Sequence, residues 1–437
     1  MRYSQFKQLL NKAYKQSEIS GSTIIFQFTT SINVKIDTIL SSISIKKDMF
    51  YMNFPNDKII YLGIGKEISQ KVSSKKDLSN IIQNKYTVIN NNNQKLEFFG
   101  GIAFNLKDES FFPWKNIAKG KFYLPRILIK ENNTIEFTYS RYINNSIQKK
   151  SILKDYKQSL LLIKQQKTKN IKAPNIYQKY EIPNKKKYLE SIHKIIKRIK
   201  TTKLDKVVIS RLVKYNLSSR ICTDKFINYL NKTHKNCFNF FICFNKNHTF
   251  IGSSPEKLIS LKNKSYSIDA IAGSSNNKKE LKSKKEINEH TYVTKHIYDR
   301  MIKISEQFNQ PKKPEILKLN YINHLYTKIF GRLKNKTHIL ALLSNLYPTP
   351  ALLGDSSDMA LKYIKKTEKS DRGWYAGAIG MYDENGDGKF YVPIRSGIIK
   401  NKNLLLFTGS GIVSQSNPEK EWDETTLKLE HILSYFN

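Results

Sequence analysis

The chain has 437 residues, 39% of them hydrophobic and 12% aromatic, with 75 Lys and Arg against 36 Asp and Glu, a net charge of +39. This length and apolar content exclude a disordered chain and suit a globular protein with a large core. No apolar run approaches the ~18 residues of a membrane span, and the N-terminal MRYSQFKQLLNKAYKQ lacks the hydrophobic stretch of a secretory signal, so a cytoplasmic protein is expected.

In chain order, residues 1 to about 45 read as a helix followed by the β-rich stretch STIIFQFTTSINVKI. From Phe50, short apolar segments bounded by Gly, Pro or polar clusters predict strands: FYMNFP, KIIYLGIGK, FFGGIAFNL, FYLPRILIK and TIEFTYS. Residues 145–187, rich in Lys, Gln and Asn, predict a helix and then a connecting loop through Ala173, Pro174 and Asn175. Tyr188, Ile192, Ile195, Ile196 and Ile199 recur at helical spacing and open a second half. Strands follow around 206–215, 237–244 and 249–261, helices near 286–308 and 356–367, strands at 374–383, 389–400 and 403–409, and a terminal helix from about Glu419. Strands and helices do not alternate as βαβ units. The expected fold is therefore a layered α+β sandwich of two mixed or antiparallel sheets, with helices outside and the site between the sheets. Two segments are distinguished: residues 1–180, and a catalytic region at 181–437.

The charge is carried mostly by Lys in short runs such as Lys185-Lys186-Lys187, mixed with Asn and Ile, the pattern of AT-rich coding on solvated faces. No RNP-type aromatic motif, helix-turn-helix or zinc finger is present, so nucleic acid is not expected as a partner. Steering of a small anionic substrate is the better use of such a surface. Cys237 and Cys243 fall in the apolar run CFNFFICF and read as buried thiols. With Cys222 they form neither a disulfide framework nor a zinc spacing.

Against this Lys-, Asn- and Ile-rich background, the chain from Tyr347 onward holds YPTPA (347–351), DRGWYAG (371–377), IRS (394–396) and EWDE (421–424). Earlier, Lys206 opens the apolar strand KVVISR, a place where a solvated edge charge is the ordinary reading. Glu256 follows Pro255 in IGSSPEKL; a proline interrupts the ladder there and aims the next carboxylate into a cavity, or else leaves a plain turn acid. Glu286 and Glu289 lie three apart on a predicted helix, as do Glu421 and Glu424. Each pair shares a helix face, and two such faces meeting can offer oxygen ligands to a hard cation. Asp383–Gly388 resembles the start of an EF-hand loop, but position twelve is Ile394 and the flanks read as strands, so a hairpin turn is expected. Gly409-Ser410-Gly411 lacks a dinucleotide unit and suits close backbone approach to an anion.

Together KVVISR, FIGSSPEKL, IAGSS, Glu289-His290, YPTPALLG, DRGWYAGAIG, IRSGII, GSGIV and EWDETTLK resemble the chorismate-utilising enzymes, most closely the isochorismate synthases. The likeness runs from residue 206 to 430 and, more weakly, back to about Phe50. It implies chorismate as substrate and Mg²⁺ as cofactor. Lys206 becomes the base that activates water for attack at C2, and Glu256 the acid that protonates the departing C4 hydroxyl. Glu289 and Glu424 would bind Mg²⁺, supported by Glu286 and Glu421. Ser274, Tyr375, Arg395 and Lys428, with the amides of Gly409 and Gly411, would hold the substrate and its carboxylates. As a base Lys206 must shed its proton, which burial, Arg211 and a metal would favour. Glu256 needs a raised pKa. In this family a nucleophilic lysine just before the AGT-like turn marks the aminodeoxychorismate enzymes; Ala272 stands there, so water is the expected nucleophile. Salicylate synthesis in the same pocket is the near alternative, and a polyanion-binding protein on a degenerate scaffold the distant one. Three positions depart from the family: Tyr347 replaces the usual His, Ser274 the usual Thr, and the loop from 275 to 285 is short. A monomer feeding menaquinone or siderophore synthesis is expected.

Overall fold

In the computed structural model, which describes residues 2–20, 24–144, 147–164, 172–354 and 357–437, two large β-sheets face each other. The larger, of twelve strands, runs in the order 176–182, 207–217, 403–412, 396–400, 248–254, 238–245, 49–54, 59–64, 127–131, 135–143, 24–31, 87–89. The smaller, of ten, runs 305–309, 323–333, 265–275, 257–262, 388–391, 378–383, 97–102, 120–124, 68–71, with 315–318 also paired to 323–333. Pairing is antiparallel except between 24–31 and 87–89. Both sheets take strands from either side of residue 180.

The run CFNFFICF shows why the larger sheet reads as continuous hydrophobicity. Phe238, Phe240 and Ile242 point into the core between the sheets, where Phe99, Ile259 and Phe390 come from the other side. Phe241 and Cys243 point the opposite way, into a second core shared with Phe6, Tyr156 and Phe226. A strand buried on both faces has no solvated positions to alternate with, and even Asn239 within it is buried. That second core lies under the outer helices Arg2–Ser20, Lys149–Lys164 and Thr223–Thr233. The three cysteines are free, and no helix among the described residues is long and apolar enough to cross a membrane.

Several boundaries differ from the sequence reading. The loop expected after residue 164 contains the strand Ile176–Ile182, whose polar IYQKYEI forms a sheet edge with most side chains exposed. The helix expected to 308 ends at Met301, and Ser305–Asn309 is an edge strand. The strands Ser265–Ser275 and Asn323–Leu333, which pair along their length, were not anticipated. The helix expected from 356 is Ser357–Thr367; residues 355–356, like the other gaps in the ranges above, lie outside the described residues. The Asp383–Gly388 segment is a hairpin turn, with Gly386 at φ +87°.

Candidate active site

Two segments expected as continuous strands are each broken, and the breaks build the site. Residues 248–254 belong to the larger sheet and 257–262 to the smaller; the chain crosses at Pro255-Glu256. Likewise 388–391 lies in the smaller sheet and 396–400 in the larger, with the crossing at Pro393–Arg395 and Arg395 at φ +50°. Neither proline can donate to a ladder. The crossings are tied together: Val392 N–H donates to Glu256 O (3.0 Å), Ser253 N–H to Arg395 O (3.0 Å), and Ser254 Oγ to Val392 O (2.5 Å). Glu256 and Arg395 thus reach the space between the sheets on fixed backbone.

That space is a tight cavity of about 90 Å³. Glu256, Ser274, Tyr375, Arg395, Gly409, Gly411 and Lys428 all line it, as do Glu289, Ala272 and His324. Burial, with Asp269 nearby, pushes the Glu256 carboxyl up to about 8 against the pull of Lys206 and Lys428. Burial lowers Arg395 to about 10, so it remains a cation at neutral pH. Its described partners are His324 Nε2, 3.0 Å from Nη2, and Lys428 O, 3.4 Å from Nη1. Burial, then Arg395 and Lys428, hold His324 well below the usual imidazole range. A neutral ring with its proton on Nδ1 satisfies both contacts: Nδ1 donates to Ser274 Oγ (2.9 Å) while Nε2 accepts from Arg395. Tyr375 stacks on Phe407, with ring centroids 5.0 Å apart.

The glycine amides follow from register. Val208 N–H donates to Leu353 O (3.1 Å) and Ser210 N–H to Glu368 Oε1 (2.7 Å), so both face away from strand 403–412. In an antiparallel ladder their opposite residues, Gly411 and Gly409, then also turn their amides outward. Strand 396–400 covers that side only between 403 and 407. Beyond Phe407 the amides of Gly409 and Gly411 meet the cavity, where Lys428 Nζ already donates to Gly409 O (3.0 Å). A Cβ on Gly411 would stand 2.5 Å from Glu289 Oε1 and 2.9 Å from Lys206 Cε, so a larger residue would have to push the Lys206–Glu289 pair aside.

Lys206 is fully buried, with Nζ 2.9 Å from Glu289 Oε1, and as paired does not line the cavity. Arg211 does not act on it as expected. One strand residue alternation away from Val208 and Ser210, Arg211 faces the opposite side, donating to Thr425 and Thr426 with its guanidinium 3.8 Å over Trp422. The two helix faces do meet. Asn417 caps Pro418–Leu433 and Ser283 caps Lys284–Met301, setting Glu421 and Glu424 toward Glu286 and Glu289. Between them stands Lys285, with Nζ 2.9 Å from Glu421 and 3.2 Å from Glu286. Glu424 pairs with Lys428 (2.5 Å), and Glu286 accepts from Ser274 N–H (2.7 Å). Glu286, Glu421 and Glu424 line an adjoining cleft rather than the main cavity.

The donor set is all oxygen, which suits a hard divalent cation. Burial, then Glu424, pushes Glu421 up to about 7 against the pull of Lys285 and Ser416, and its Oε2 is buried without a hydrogen bond. Such crowding marks a place where more positive charge is welcome. Among the described residues, however, no three acids, histidines or cysteines form a group that could hold a metal as they stand. Amines hold the carboxylates, and a cation must displace them.

Lys285 and His324 were missed in the sequence. Lys285 had a signal, its i,i+4 spacing to Glu289 on the predicted helix. His324 lies in a strand that was not predicted. Of the departures, Ser274 keeps a hydroxyl on His324, and Tyr347 faces away from the cavity while its O–H donates to Ala376 O (2.6 Å). The DRGWYAG segment is anchored by the buried Arg372–Glu368 pair: Arg372 donates to Glu368, Leu352 O and Val208 O, joining helix, loop and strand.

A family model described as "Chorismate binding enzyme" matches residues 8–437. The isochorismate synthase MenF of Bacillus subtilis is 26% identical, covering 98% of this chain and 96% of that protein. The isochorismate synthase EntC of Escherichia coli is 28% identical over 60% of this chain and 70% of that protein. The salicylate biosynthesis isochorismate synthase of Pseudomonas aeruginosa is 36% identical over 43% of this chain and 42% of that protein. The solved structure of the menaquinone-specific isochorismate synthase MenF from Escherichia coli superposes with a TM-score of 0.79 at 20% identity, over 98% of this chain and 100% of that one. Anthranilate synthase component I from Streptococcus pneumoniae superposes with a TM-score of 0.66 at 19% identity, over 94% and 92%. The fold is the one these proteins share.

Proposed function

This chain belongs to the chorismate-binding enzyme family, and on that premise we propose that it isomerises chorismate to isochorismate. The observation that carries the reading is the Glu256 carboxyl, raised to about 8 and facing a cavity that also holds the Arg395 cation. A dianion suits the charge of such a cavity, and a neutral acid waits inside it.

In the proposed reaction Arg395, Lys428 and the Gly409 and Gly411 amides bind the substrate carboxylates, and Tyr375 packs against the substrate beside them. Lys206, released from Glu289, takes a proton from the water that attacks C2. The ring double bonds shift, the C4–O bond breaks, and Glu256 protonates the departing hydroxyl, so one water enters and one leaves. Lys206 and Glu256 then return to their starting states by proton exchange with solvent. Glu289 and Glu424, with Glu286 and Glu421 around them, would hold Mg²⁺, which would supply positive charge for a carboxylate-bearing substrate; Glu289, so engaged, would no longer pair with Lys206. The neutral His324 fixes the Arg395 fork by accepting one of its N–H groups. Isochorismate so formed would enter menaquinone or siderophore synthesis.

The test is turnover of chorismate with Mg²⁺ by the purified protein, products resolved by chromatography. Isochorismate is expected. Salicylate as the main product moves the reading to a salicylate synthase. No turnover, with tight salt-sensitive nucleic-acid binding, replaces it with the polyanion-binding alternative.

A further inference from the structure

A second cavity lies behind the candidate active site, and one stretch of chain walls off both. Tyr347, Pro348 and Leu353 line the second cavity, whereas Ala351 and Leu352 line the first. Phe104 is shared in a similar way. Its ring borders the second cavity, and the Arg372 guanidinium, which lines the first, sits 4.2 Å over that ring.

The chemistry of this cavity is two-sided. Leu78, Ile102, Phe104 and Leu361 give it an apolar wall, while Lys75, Lys107, Lys119 and Arg300 give it four cations. One carboxylate, Asp358, accompanies them among the described lining residues. Three of the four cations donate to carbonyls: Lys75 Nζ to Ser344 O (2.7 Å), Lys119 Nζ to Leu106 O (3.1 Å) and Arg300 Nε to Asn345 O (3.0 Å). A carbonyl satisfies the donor and leaves the charge. The result registers on Lys75, whose pKa is lowered by burial and then by Arg300 and Lys107. Lysines also converge on another cavity, lined by Lys95, Lys130, Lys257, Lys262 and Lys389, but there Asp57, Glu97, Asp383 and Asp387 accompany them; here they converge on apolar surface with one carboxylate.

We propose that this cavity binds an amphipathic organic anion, an aromatic or aliphatic body carrying a carboxylate, and that its occupancy changes turnover in the neighbouring cavity. The body lies on Phe104 and the leucines, and the carboxylate lies among the cations. The route between cavities is short. Tyr347 O–H donates to Ala376 O (2.6 Å), and Ala376, at φ +54°, follows Tyr375 on the wall of the active cavity.

The test is calorimetric titration of the full chain with 2-naphthoate, with naphthalene-2-methanol and 2-naphthylmethylamine as neutral and cationic controls. Because Arg395 can itself hold a carboxylate, the titration is repeated on Arg395→Ala, in which the second cavity is untouched. Binding of naphthoate to Arg395→Ala is expected, with both controls at least about tenfold weaker, and Lys107→Glu should weaken naphthoate by about tenfold. Lys107 is exposed, so its reversal should leave folding and basal chorismate turnover unchanged. In the wild type, naphthoate should alter kcat at saturating chorismate, and in Lys107→Glu it should not. Binding that vanishes in Arg395→Ala and ignores Lys107→Glu, equal binding of the controls, or no binding at all overturns the site. Correct binding with kcat unmoved overturns the coupling. The binding arms stand whether or not the chain turns over chorismate, so a failure here is distinct from a failure of the proposed function.

Discussion

The sheet-built side of the cavity and its helix-built side solve opposite problems. Glu256 and Arg395 stand on strand crossings tied by backbone hydrogen bonds, and both are buried in the state the proposed chemistry needs: an acid with its proton and a cation that, among the described residues, donates to no carboxylate. On the helix side, four carboxylates are held by three lysines, Lys285, Lys206 and Lys428. The first side is preorganised for its ligand; the second is neutralised by stand-ins that a ligand must replace. A buried charge lasts only if something compensates it, and the two sides differ in whether protein or ligand provides the compensation.

The comparison breaks most visibly at Glu256. Glu256→Gln keeps the shape and removes the proton donor, so kcat should fall by about 10²–10⁴ with the circular dichroism spectrum unchanged. Arg395→Lys retains charge but loses the planar fork; KM for chorismate should rise by roughly 10- to 100-fold, measured by steady-state kinetics.

A third prediction concerns stability against pH. The Glu256 carboxyl has its folded-state pKa raised from 4.5 to about 8, so between those values the folded protein keeps a proton that the unfolded chain has released. Stability therefore declines as pH rises from about 4.5 through about 8 and then levels off. Glu256→Gln removes this dependence, so its gain in unfolding free energy over the wild type, measured by denaturant titration, should grow from pH 5 to pH 8, with a ceiling of about 5 kcal/mol. A gain independent of pH would show that Glu256 is ionised in the folded state.

Most of the sheet-side residues were legible because their motifs break local rules. The proline before Glu256 marked a break that could aim its carboxylate into a cavity, whereas Arg395 was legible only through the family resemblance. The same local view misjudged the crossings' extent, reading 249–261 and 389–400 as single strands, because nothing in a sequence says which of two sheets a residue joins. Arg211 was misplaced for a related reason: closeness to Lys206 in the chain hid the alternation that puts them on opposite faces. His324 was illegible since its meaning lies in Arg395 and Ser274, 71 and 50 residues distant. Ile176–Ile182 escaped notice because an edge strand can be polar on both faces.

Smaller effects sharpen the helix side and its surroundings. Mg²⁺ should raise the thermal midpoint, by about 2.7 kcal/mol of stability at a hundred times its Kd, and the Glu289→Gln, Glu424→Gln double variant should lose that response. No shift in the wild type would mean that the lysines are permanent partners. Tyr347→Phe deletes the hydrogen bond to Ala376 O and should cost about 1 kcal/mol in denaturant unfolding, with a modest drop in kcat.

The central claim is that Lys206 and Glu256 act on opposite ends of one hydroxyl transposition. Chromatography of chorismate incubated with Mg²⁺ and wild-type, Lys206→Ala or Glu256→Gln protein tests it most directly. The account predicts isochorismate from the wild type and a near-complete loss with either variant. Isochorismate formed at an unchanged rate by Lys206→Ala would contradict it.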